Sequence, residues 1–315
     1  MDLTRHLRNL LWLLLIVQIG SSSAQDPTHL IAFQSRNDGN PEIYVMQFNG
    51  QARRNLTNHP ARDVDPAWSP DGRRIAFASN RSGNYDIWIM DADGSNLINV
   101  TNTETNEYSP RWSPDGKRLL CQQVYGNHLD TSVNRDICLI SLDSGNIRRL
   151  TNELSRDRGA SWAPDGKHFV YVGVYDIGGK TIDAYMMNIE DRHSLLRLTH
   201  SRSYIFSPQW ISANRIIYRS YGGIYQLDLE KSASKLIYDP PLEGSRFDVL
   251  IDEGVMHFAL SGRHEDNRDN DYGLWHYNVQ TKAFSRIENT GPKDFDVTWQ
   301  PIGKPEPSQD SQDDS

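Results

Sequence analysis

Asp63-Val64-Asp65-Pro66-Ala67-Trp68-Ser69-Pro70-Asp71-Gly72-Arg73-Arg74-Ile75-Ala76-Phe77 is the stretch on which the fold turns. Its centre, Trp68 to Gly72, returns as Trp112-Ser113-Pro114-Asp115-Gly116 and as Trp162-Ala163-Pro164-Asp165-Gly166. Weaker copies stand at Trp210 and at Trp299-Gln300-Pro301. The anchors step by 44, 50 and 48 residues, then by 89. The last step is two periods, and Leu250 to Gly254 supplies the missing copy, with Leu250 in place of the Trp. That makes six units.

Each unit reads as four short strands. In the quoted copy these are Asp65 to Ser69, Arg74 to Ser79, Asp86 to Met90 and Leu97 to Thr101. Pro70-Asp71-Gly72 turns the chain between the first two, because Pro presets φ and Gly tolerates the positive φ that follows. Four strands per 40–50 residues, without helical periodicity between them, predict an all-β six-bladed propeller. The two ends complement each other. Leu30 to Phe33 matches a second strand with no first strand before it, and Asp296 to Trp299 matches a first strand with no second after it. Pairing of the C-terminal strand with the first blade is expected to close the ring and leave no exposed edge.

Residues 1–24 read as a signal peptide: Arg5 and Arg8, an apolar run from Leu10 to Ile19, then Ser22-Ser23-Ala24. The propeller is expected over 25–302, and an acidic, Pro- and Ser-rich disordered tail over 303–315. Removing the leader takes away Arg5, Arg8 and Asp2, so a net charge of −8 becomes −9. That balance argues against nucleic acid and anionic membrane surfaces as partners. The product is expected to be exported (periplasmic or secreted), monomeric and without stable membrane insertion.

The pattern from Asp63 to Arg81, with the blade endings Leu56-Thr57, Leu150-Thr151 and Leu198-Thr199, resembles the repeat of the TolB-type propeller. The resemblance covers nearly all of residues 28–302. It implies a non-enzymatic periplasmic binding protein. The separate α/β domain that precedes the propeller in TolB is not expected here.

Aligning the units places aromatic residues opposite each other on second and third strands: Phe33 and Tyr44, Phe77 and Trp88, Tyr171 and Tyr185, Tyr218 and Tyr225, Phe258 and Trp275. The third unit places Cys121 and Cys138 there. Opposed positions on one sheet face lie within bridging distance, and export favours oxidation, so a structural disulfide is expected.

Carboxylates recur five residues before the anchor at Asp63, Glu107, Asp157 and Asp294. As a ring at the channel mouth they would attract a hard cation such as Ca²⁺ or a basic group. As a repeated structural device they would bond backbone groups between blades. The acidic loop Glu265 to Asp271 does not match calcium-loop spacing, because Gly273 falls late. Sequons at Asn55, Asn80 and Asn99 fall mostly on the repeat, and Gly159 to Ala163 lacks the second Gly of a nucleophile elbow. His257 and His276 stand on neighbouring strands and could face each other.

Two function classes follow. A binding module for a protein, peptide or glycan would use rim residues such as Arg135, Tyr204 and Arg246. A metal-dependent lactonase- or lyase-like enzyme acting on a sugar or lactone would use Asp63, Glu107, Asp157 and Asp294 as ligands in the central channel. The binding module without catalysis or cofactor is the reading preferred here.

Overall fold

The computed structural model describes residues 29–125, 134–151, 156–173, 182–200, 204–221, 223–240, 242–252, 254–264 and 272–301. The leader reading (1–24), the tail (303–315), the tips of the third- and fourth-blade hairpins and the acidic loop 265–271 lie outside them. No helix among the described residues is long and apolar enough to cross a membrane.

Six antiparallel four-stranded sheets make the ring. Blade one holds β1 (Leu30–Ser35), β2 (Glu42–Gln47) and β3 (Arg54–Asn55). Blade two is β4 (Asp63–Trp68), β5 (Arg74–Ser79), β6 (Asp86–Asp91) and β7 (Ile98–Asn99). Blade three is β8 (Asn106–Trp112), β9 (Arg118–Tyr125), β10 (Asn134–Ser141) and β11 (Ile147–Arg149). Blade four is β12 (Arg158–Trp162), β13 (His168–Gly173), β14 (Asp183–Asn188) and β15 (Asp191–Arg197). Blade five is β16 (Ile205–Ser212), β17 (Arg215–Ser220), β18 (Gly223–Asp228) and β19 (Ala233–Tyr238). Blade six is β20 (Leu242–Asp252), β21 (Val255–His264), β22 (Tyr272–Asn278) and β23 (Phe284–Arg286). The last strand, β24 (Asp294–Trp299), pairs with β1 as Ser35↔Asp294 and Ile31↔Trp299, which closes the ring as the complementary ends require.

The anchor motif explains itself locally. Gly72 sits at φ +67° and its N–H donates to Ser69 C=O. Ser69 Oγ donates to Asp71 and accepts from Arg74 N–H, so one hydroxyl fixes the turn. In blades three and four the Trp ties its blade to the preceding one: Trp112 Nε1 donates to Ala67 C=O and Trp162 Nε1 to Arg111 C=O, both at 3.0 Å. Leu250 fills the Trp slot of blade six and packs with Trp299 in the core shared with blade one.

The Leu-Thr ending is a clasp. Thr57, Thr101, Thr151 and Thr199 accept the N–H of Ile43, Ile87, Ile137 and Ala184. Each also donates to a buried carboxylate at the start of the third strand: Glu42, Asp86, Asp136 or Asp183. Those carboxylates are held by neutral donors and by Arg149 and Arg197, which satisfies charges that burial would otherwise make costly.

The cross-strand pairs have the expected register in four blades and at Cys121↔Cys138. Blade six differs. Phe258 faces Tyr277, rings 6.3 Å apart, while Trp275 faces Leu260. The residue opposite Phe258 is thus Tyr277, two positions beyond the Trp275 that aligning the units gives.

Candidate functional site

The innermost strands of all six blades surround an axial cavity of about 1000 Å³. Five of these strands carry a bulge at one repeated position, with φ positive at Asp65 (55°), Ser109 (52°), Gly159 (63°), Ser207 (47°) and Asp296 (52°). Asp, Ser and Gly there suit a left-handed residue, and Asp tolerates it through local hydrogen bonding. Pro66, Pro110 and Pro208 follow three of them, stripping an N–H from strand edges that face the channel. Asp65 accepts from Ser109 N–H (3.1 Å) and Oγ (2.8 Å), and Asp248 from Thr298 Oγ1 and Trp299 N–H (both 3.0 Å), linking neighbouring blades around the axis. Burial pushes the Asp248 carboxyl upward, against these donors.

The recurrent carboxylates do not ring this cavity. Asp63, Glu107, Asp157 and Asp294 are buried within the blades. Asp294 takes a two-point contact from Arg53, and Asp63 binds Arg81, at 2.9 Å. Each arginine lies over the aromatic pair of its own blade, Arg53 over Phe33 and Tyr44, Arg81 over Phe77 and Trp88. Glu107 accepts from Thr103, Thr105 and Gln123, and burial raises its pKa in spite of them. The backbone of Asp157 donates to Arg135 C=O in the preceding blade. The repeated structural device is therefore what the geometry supports. Among the described residues no group of three His, Cys, Asp or Glu side chains could hold a metal ion.

Of the expected rim residues, Arg135 and Tyr204 line the cavity. Arg246 lies in β20 and its side chain is outside the described residues. Phe206, expected at the rim with them, lines the cavity too, while the sequence reading missed Tyr108, Arg158, Arg219 and Tyr221, which share the same wall. A signal was available: Tyr108, Arg158 and Phe206 each come directly after the repeat's carboxylate slot. At the mouth, Arg135 and Arg156 face each other in a parallel bridge between blades three and four, with Arg158 two residues on. Burial lowers the Arg158 pKa, as do the Arg135 and Arg156 cations, and burial lowers that of Arg219. Arg158 lies 5.3 Å over the Phe206 ring, which stacks on Tyr204. Tyr204 and Phe206 remain 45% and 41% exposed, and Tyr221 72%.

Cys121 and Cys138 are opposed and buried, as expected, but both are free thiols in this structure, with Cys138 Sγ donating to Gln123. Burial pushes both thiols up, Cys138 to about 12. His257 Nδ1 and His276 Nε2 do meet, at 3.0 Å. The amides of Asn55 and Asn99 donate to Asp38 and Asp86, which occupies two of the sequons, and Ser161 Oγ accepts from Trp210 N–H between blades.

Residues 24–130 match the TolB beta propeller domain. The propeller is TolB-like. TolB from Acinetobacter baumannii superposes with a TM-score of 0.69 at 20% identity, covering 88% of this chain and 68% of that one. A TolB-type protein of Agrobacterium tumefaciens gives 0.62 at 19%, over 87% and 98%. An oligogalacturonate lyase in complex with manganese gives 0.59 at 16%, over 82% and 73%. At these identities the likeness is one of fold. A search of curated proteins returns no match.

Proposed function

We propose that this TolB-like propeller is an exported binding module that holds a segment of another protein at its channel mouth without turning it over. The observation that carries the reading is the wall of exposed Tyr204, Phe206 and Tyr221 beside Arg135, Arg158 and Arg219. Aromatic rings and arginines are the side chains that dominate binding hot spots. The carboxylates on which a channel enzyme would draw are engaged within and between blades instead. The leader pattern at residues 1–24 supports export, and with export goes oxidation of Cys121 and Cys138 to a disulfide.

Affinity capture from the exporting cell tests this. Tyr204→Ala should lose captured partner while melting temperature stays within about 1 °C, as for an exposed side chain. Turnover of a lactone, glycan or peptide by the purified protein would overturn the reading, and a thermal shift on adding EDTA would bring a bound cation back into the account.

A further inference from the structure

The two walls of the cavity carry opposite charge. Blades three to five bring Arg135, Arg158 and Arg219 to one side of the mouth. Blades two, six and one place Asp65, Asp248 and Asp296 on the inner strands across from them, with Arg111 of blade three acting on Asp248. The chain as a whole is acidic, so this cationic arc runs against its average. It is also maintained at a cost: burial and mutual repulsion both act on Arg158 to disfavour its charge. The Arg135 Nε–H is buried and meets no partner among the described residues. A buried donor of this kind is expensive unless something completes it.

Resting on the binding-module reading, we propose that the site takes an extended acidic peptide segment, its carboxylates on Arg135, Arg158 and Arg219 and its apolar side chains on the Tyr204–Phe206 stack. Arginine forks suit carboxylates, because two parallel N–H groups meet two oxygens. The rings, 6.5 Å apart and nearly parallel, present a flat apolar surface beside them. A uniformly anionic polymer such as a polyuronate fits the arginine wall and is repelled by the aspartate wall. A peptide satisfies both, since it can follow its acidic residues with backbone N–H groups or a basic side chain. The cavity is open enough to admit a chain and is bounded by strand edges whose prolines and bulges discourage indiscriminate sheet pairing.

The test is selection from a random dodecapeptide display library, with the full exported protein and its Arg135→Gln/Arg158→Gln variant as baits. Wild type should enrich peptides that join Asp or Glu to an aromatic residue, and the variant should not. A selected peptide, labelled for fluorescence anisotropy, should bind about ten-fold or more weakly to either single variant. It should also bind more weakly in high salt, which screens exposed charge. Arg148→Gln, on an outer strand, is the control and should leave binding unchanged. Circular dichroism and melting checks keep folding out of the comparison. Tyr204→Ala supplies a second variant that alters no charge and should weaken binding with the salt dependence kept. Selected peptides without acidic enrichment, equal binding by the Arg variants, or full competition by tetragalacturonate would each overturn the acidic-peptide assignment. Those results leave the binding-module reading standing, whereas turnover of the peptide would end that reading as well.

Discussion

Lowering the pH from about 7.5 to about 5 should weaken the seam between blades six and one, and His276 should account for it. His276 packs edge-on to Phe48 (4.7 Å) and Trp299 (6.2 Å), so it sits where the C-terminal strand closes the ring. Its Nε2 lies 3.0 Å from His257 Nδ1, and no carboxylate among the described residues offsets its burial. Burial first, then the neighbouring His257, lowers its pKa from the ordinary 6.5 to about 4. The folded state therefore prefers the neutral ring. Below pH 6.5 the unfolded chain takes up a proton that the folded chain refuses until about pH 4. Stability is fully present above 6.5 and is lost as pH falls through that window. Integrating between the two values gives a loss of about 2 kcal/mol by pH 5. For a domain of this size that corresponds to roughly 4 °C in Tm. Urea unfolding of wild type and His276→Phe at both pH values measures it. Phe keeps the aromatic contact with Phe48 and Trp299 and cannot titrate. Glu107, Asp136 and Asp248 are raised by burial and oppose the trend, but they are common to both proteins and cancel in the difference. Should the Phe variant lose stability as steeply as wild type, the argument is wrong.

Thr199→Val should cost on the order of 2 kcal/mol in urea unfolding, because it strips a donor from buried Asp183 and an acceptor from Ala184 N–H; a loss under about 0.5 kcal/mol would deny the clasp its role. Gly50 sits at φ +83° with its would-be Cβ 2.5 Å from the Glu288 carbonyl, so Gly50→Ala should destabilise by roughly 2 kcal/mol or more at the blade one–six contact. A shift in urea midpoint no larger than for Gly39→Ala, where the Cβ would meet nothing, would count against that close approach. Exported protein treated with alkylating agent under denaturing, non-reducing conditions should show no added label at Cys121 and Cys138; two labels would show that the thiols stay free.

Much of the fold was legible because the repeat writes its structural needs in residue types with few alternatives. Pro-Asp-Gly makes a turn that other residues make poorly, and the Trp anchors Trp112 and Trp162 each bond the backbone of a neighbouring blade. The complementary strands at Leu30 and Trp299 were readable as a closure because a propeller leaves no other use for them. What failed did so for definite reasons. Phe258 was paired with Trp275 by aligning the units, but β22 carries aromatic residues at both 275 and 277, and it is Tyr277 that stands opposite. Asp63, Glu107, Asp157 and Asp294 recur, but recurrence does not say whether a side chain faces the axis or the blade. The arginines that answer Asp63 and Asp294 come from a hairpin and an outer-strand approach with no fixed spacing to them. Bulges at Asp65, Ser109, Gly159, Ser207 and Asp296 were invisible as well, because Asp, Ser and Gly read equally as turn residues.

Two adjacent slots on the inner strand show how such a ring separates folding from recognition. The slot five residues before the anchor is nearly constant, with Asp63, Glu107, Asp157 and Asp294 in four blades and the buried Ile205 in another. In these five blades its side chain is enclosed, and four of them meet that burial with a carboxylate. One residue later the side chains are Val64, Tyr108, Arg158, Phe206 and Phe295. Three of these reach the cavity, and the blades are under no common constraint at that position. The bulge that follows turns the strand so that neighbouring residues serve opposite purposes. Sixfold repetition then stabilises the wall, while Arg158 in the variable slot, Arg135 and Arg219 on other strands, and Asp65 and Asp296 at the bulge break its symmetry into a cationic side and an acidic one. A ligand that binds here must read that asymmetry, so recognition falls on residues the repeat does not predict.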